Sequence, residues 1–203
     1  MTIKNFGARV ESVWQGLRPM TKKMIERALE ESIGSAPTAP PQKFSYDAHA
    51  DWELSRLLAA LDEQAKTTGV KKDEGKLREI KQLAETCALV LQAKTESAEV
   101  FIQLAARAFQ RNDFKKIDRL ADILNERFSV GEIAEIVRQT EMAQIRAVAF
   151  ETLAMMPVSA IMPLLDDSLY FDIARNALEQ KAFEFEDEQA REILEQMEFE
   201  ENS

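Results

Sequence analysis

Apolar residues recur at spacings of three and four along most of the chain, while alternation at a spacing of two never persists beyond a few residues. The first spacing lines one face of an α-helix and the second lines one face of a strand, so the pattern predicts helices throughout. Trp52, Leu54, Leu57, Leu58 and Leu61 mark a helix over 50–66, and Leu77, Ile80, Leu83, Ala84, Cys87, Val90 and Leu91 mark another over 74–93. After a break at Lys94–Ser97, where Thr95 offers an N-cap, Phe101, Leu104, Ala105, Ala108 and Phe109 continue the pattern over 97–111. Asn112-Asp113 is a turn signal before a helix over 114–127, and Ser129-x-x-Glu132 reads as a capping box opening 130–139. Shorter helices follow over 142–155, 160–166, 168–182 and 187–198. None is long enough to stand alone in water, so each must bury its apolar face against a neighbour.

Toward the N-terminus, Phe6, Val10, Val13, Leu17, Met20 and Met24 form a short heptad-like seam. Pro19 removes a backbone donor inside it and disfavours helix at Arg18, which divides the segment into helices over 5–17 and 20–33. Pro37, Pro40 and Pro41 mark 34–45 as an extended linker. The expected organisation is an N-terminal amphipathic helical arm (1–33), a Pro-rich linker (34–45) and a helical-repeat-like body (46–203) ending in an acidic helix. The expected fold is all-α, with antiparallel hairpins stacked as a short solenoid or gathered in a multi-helix bundle.

Composition sharpens this picture. Apolar residues make up 45% of 203 residues, enough for a proper core, and the six Gly and six Pro favour helix over sheet. The longest uncharged stretch, Thr152–Leu165, is 14 residues with two prolines, too short to span a bilayer. Met1–Leu17 has no apolar run of the kind a secretion signal needs, and the lone Cys87 excludes an internal disulfide framework. Together these point to a cytoplasmic protein. The net charge of −10 is unevenly spread: 1–33 carries +2, 34–165 carries −2 and 166–203 carries −10. An acidic tail repels nucleic acid, and the body offers no strong basic field to attract it.

The row Ile145, Val148, Ala149 and Leu153, then Ile161, Leu164 and Leu165 with Asp166 closing the second helix, resembles a HEAT-type repeat over about 40 residues. Ile173, Ala174 and Leu178 look like the opening helix of a further repeat. Residues 98–124 are similar to a tetratricopeptide unit through Phe101, Leu104, Ala105 and Asn112-Asp113-Phe114. Either resemblance implies a stacked scaffold for protein partners and no catalytic residue. No fixed period recurs along the chain.

Chemistry-bearing residues are sparse. His49 is the single histidine, beside the linker between Asp47 and Asp51, and a metal site needs three or four converging ligands. Cys87 lies in register with Leu83, Val90 and Leu91 and reads as core. The glycines stand singly, so no phosphate-cradling loop exists. Lysines and arginines over 66–81 and 107–119 are interleaved with Asp and Glu, as on solvated helix faces. No catalytic, cofactor or metal site is expected.

Two segments suit contact with a protein partner. In the arm, Val10, Val13, Trp14 and Leu17 could be presented to a partner or to a second copy of the chain. At the other end, Ile193, Leu194 and Met197 form a stripe, with Phe183, Phe185 and Phe199 set among carboxylates. The reading is a non-catalytic scaffold or adaptor; the alternative is a peripheral membrane protein anchored by the arm.

Overall fold

A computed structural model describes residues 6–32, 46–71 and 73–201, and every element among them is helical. The Pro-rich linker, 34–45, lies outside the described residues. The chain divides into two compact units, one running to Thr95 and the other from Glu96. The two N-terminal helices belong to the same unit as the first two long helices.

The first unit contains α1 (Ala8–Gly16), α2 (Pro19–Ser32), α3 (Ala48–Ala65), the single turn α4 (Thr68–Lys71) and α5 (Glu74–Lys94). Pro19 occupies the first position of α2, where its missing N–H costs no hydrogen bond, so the proline that ends one helix starts the next. Asp47 caps α3 by accepting from the Ala50 N–H at 2.8 Å, and Asp73 caps α5 through the Lys76 N–H at 3.0 Å. The α3–α5 pair forms the centre of the unit, with α1 against α3 and α2 against both. Leu54, Leu57, Leu58 and Leu61 are buried on α3, as are Ile80, Leu83, Cys87 and Leu91 on α5. Phe6, Val10, Leu17, Ile25 and Leu29 join that core from the N-terminal segment. Each such side chain contributes about 1.5–3 kcal/mol of burial against the entropy of ordering the helices.

The second unit contains α6 (Ala98–Gln110), α7 (Phe114–Arg127), α8 (Val130–Gln139), α9 (Ala143–Met155), α10 (Val158–Ile161), a 3-10 turn (Met162–Asp166), α11 (Phe171–Glu184) and α12 (Glu188–Glu201). The α8–α9 pair carries the most extensive contact; α6 and α7 pack on it, α11 packs on α9 and α8, and α12 packs on α11. The turn predicted at Asn112-Asp113 forms with Asn112 in the left-handed region (φ 54°), a conformation asparagine tolerates. Phe128, ending α7, meets Phe101 edge-on at 5.6 Å between ring centres.

Two local expectations change. Ser129 accepts from the Glu132 N–H at 3.2 Å, half of the expected capping box, but the Glu132 carboxylate does not close it. It accepts the Ala98 N–H at 2.7 Å and so caps α6, whose own Ser97 makes no side-chain cap. Thr95 is the buried C-cap of α5, and the N-cap position of α6 is held by Ser97. The HEAT-like pairing also differs. Pro157 and Pro163 limit its second half to α10 and the 3-10 turn, bent by 119° from α9, and the main partner of α9 is α8.

Because Glu132 joins elements 34 residues apart, Glu132→Ala should destabilise by about 1 kcal/mol while Glu132→Gln retains most of that stability. Urea denaturation of the two variants checks this; equal losses would show that the acceptor oxygen is not what matters.

Candidate functional site

The densest polar constellation lies where α1 gives way to α2. Arg18 sits at the break and Glu53 projects from the second turn of α3. Glu53 is only 2% exposed, so its charge must be met by partners. One carboxylate oxygen accepts the Arg18 backbone N–H at 2.6 Å; the other accepts Arg18 Nε at 3.0 Å and the Thr21 hydroxyl. The Arg18 N–H immediately precedes α2 and Thr21 lies in its first turn, so the carboxylate also sits at a helix N-terminus. The remaining guanidinium nitrogens form a bidentate pair with Asp47 at 2.7 and 3.0 Å.

Burial pushes the Glu53 carboxyl up, but the Thr21 hydroxyl, the Arg18 N–H and the Arg18 guanidinium together hold it below its ordinary value. Asp47 is held well below the usual carboxylate range, by the Arg18 hydrogen bonds first and the Ala50 N–H second. Hydrogen bonds to Asp47 and Glu53 raise Arg18 in return. Nearby, Tyr46 donates to Asp51, and burial with that bond pushes the phenol up.

Beside this clasp, Ser12, Val13, Gly16 and Leu17 of the α1 end and Trp52, Glu53 and Arg56 of α3 line an open pocket of about 120 Å³. Trp52 is 50% exposed, with the Arg56 guanidinium 4.5 Å from its ring and His49 tilted against it at 5.5 Å. Gly16 contributes no side chain, and a Cβ built there meets nothing within 4 Å.

The predicted arm residues have separate fates. Val10 and Leu17 are buried in the first unit, and Val13 and Trp14 are half-buried. Val10 and Leu17 therefore offer no surface to a partner or a bilayer in this fold, because α1 and α3 need them for their own packing.

The C-terminal candidates also separate. Ala190 is buried against α11, and Ile193, Leu194 and Met197 are half-buried. Phe183, Phe185 and Phe199 are exposed, at 79%, 46% and 75%. Residues 183–203 carry nine carboxylates and one arginine, a net of −8. The turn that displays Phe183 is tightly held. Asp187 donates its N–H to the Lys181 carbonyl at 3.2 Å, and its carboxylate caps α12 through the Ala190 N–H at 3.0 Å. Buried Lys181 reaches the Ala154 carbonyl at 3.4 Å and Asp187 at 3.5 Å, while Arg191 reaches the Ala182 carbonyl at 3.3 Å. Glu186 takes a left-handed φ of 54° to complete the reversal.

Among the described residues, no group of three or more His, Cys, Asp or Glu side chains is placed to hold a metal ion, and no single helix is long and apolar enough to cross a membrane. Cys87 is buried on α5. No protein-family model matches the chain, and neither a curated protein nor a solved structure matches it.

Sequence reasoning missed the clasp because its partners lie 29–35 residues apart. The folded pKa of Glu53 is below its unfolded value of about 4.3, so its contribution is complete above that pH and is lost as pH falls through the folded value. Glu53→Ala should cost about 2–3 kcal/mol at pH 7, and Glu53→Gln should reduce the fall in stability between about pH 6 and pH 3. Urea midpoints against pH check both; a variant with an unchanged pH slope would remove Glu53 from the account.

Proposed function

We propose that this chain is a non-catalytic helical adaptor whose α11–α12 hairpin docks a protein partner. The observation that supports the reading is the exposure of Phe183, the most exposed large apolar side chain among the described residues, on a surface dense in carboxylates. A terminal helix serving only to end the fold and keep it dissolved needs acid on its wet side but no aromatic rings there. Rings and carboxylates together suit a partner with an apolar recess and a basic rim. Opposite charge speeds the encounter, while the rings supply most of the affinity. α12 packs on α11, with Ala190 buried and Ile193, Leu194 and Met197 half-buried, so Phe183 and Phe185 stand on an already folded hairpin and little ordering entropy is lost on binding. The membrane-anchored alternative relies on arm residues of which Val10 and Leu17 are enclosed in the first unit, and is the less supported reading.

Phe183 and Phe185 are exposed, so Phe183→Ser with Phe185→Ser should leave the thermal unfolding transition essentially in place. Affinity capture with the full chain and with the double variant tests the reading. A partner with a basic contact surface should be retained by the first, lost by the second and weakened by added salt. Equal capture by both baits would contradict it.

A further inference from the structure

Resting on the adaptor reading of the α11–α12 hairpin, we infer that the partner of that surface is a second copy of this chain, with Phe183 of one copy seated in the Trp52–Arg56 pocket of the other. The pocket, about 120 Å³ and open to solvent, is of the same order as the roughly 150 Å³ apolar cavity that accepts a benzene molecule, so its scale suits a single phenyl ring. Val13, Leu17 and the half-exposed Trp52 indole supply apolar walls to the pocket.

The two surfaces also match in charge. Glu53 lines the pocket, but its carboxylate is already met by Arg18 and Thr21, so it is not a free anion facing an entering group. Arg56 stands over the Trp52 ring at 4.5 Å, and His49 is tilted against the same indole at 5.5 Å. Phe183 arrives flanked by Glu184 and Glu186, with Glu179 one helical turn earlier. A ring entering the pocket therefore brings carboxylates toward the Arg56 guanidinium, a charge-assisted contact. Donor and recess are different surfaces, and each copy carries one of each.

Gly16 provides a blocking variant that spares the fold. Its backbone is helical, and a side chain there meets open space, so Gly16→Leu should fill the pocket while favouring α1. Sedimentation equilibrium of the full chain up to about 1 mM should show self-association. Gly16→Leu and Phe183→Ser, each alone, should weaken it by at least roughly tenfold with the unfolding transition retained. Mixing the two variants should restore a one-to-one complex, because the first keeps an intact Phe183 and the second keeps an open pocket. A wild-type chain that stays monomeric over that range overturns the inference, as does association indifferent to both variants or a mixture that fails to recombine. If the chain stays monomeric yet the Phe183- and Phe185-dependent capture of another protein persists, only the second-copy assignment falls. If both disappear, the hairpin reading falls with it.

Discussion

A carboxylate taken out of water has to be met by donors, and in the first unit that requirement falls on Glu53. The donors that meet it are the backbone N–H and guanidinium of Arg18 and the hydroxyl of Thr21. All three come from the junction of α1 and α2, on the far side of the linker in sequence. Removing the N-terminal helices would strip Glu53 of these donors and expose the leucine-rich faces of α3 and α5 to water, which is costly. The arm is therefore an integral part of the core, and its helices are held where polar and apolar contributions coincide. Asp47 adds to this by capping α3 and gripping Arg18 with one carboxylate.

The second unit uses the same economy of shared polar groups. Glu132 caps a helix other than its own. Tyr170 reaches Glu135 at 2.8 Å across 35 residues, and Arg138 holds that carboxylate down at a pKa of about 2, together with burial opposing it and the Tyr170 and Gln139 bonds assisting. Lys181 bridges the α9 end and the α12 cap. Such bonds add little singly on a wet surface, but those that are buried define which helices meet and at what register. Their outcome at the C-terminus is a rigid turn with aromatic rings left in solvent.

Helix positions were legible because the apolar spacing is regular and the caps are of ordinary type: the predicted 74–93 forms as Glu74–Lys94, and 114–127 as Phe114–Arg127. The burial of Cys87 followed from its register with Leu83 and Leu91. Long-range polar pairing was not legible, since nothing local in Arg18 or Glu132 names a partner some 29–35 residues away. For the same reason periodicity identified Val10 and Leu17 as one face but could not say whether that face would close on α3 or remain open. The single-turn α4 was too short to leave a periodic signal. The exposed aromatics at Phe183 and Phe185 were visible as rings among carboxylates, whereas the pocket lined by Gly16 and Trp52 exists only once α1 lies on α3.

Whether α1 and α2 are held in the first unit's core by the Glu53 clasp is decided by residue-resolved amide hydrogen exchange of the full chain. Interior amides of α1 and α2, such as those of Val13 and Ile25, should be protected and exchange through the same opening as α3 and α5. Exchange of α1 and α2 at the rates of an unstructured chain, with α3 and α5 still protected, would show that they are not held there.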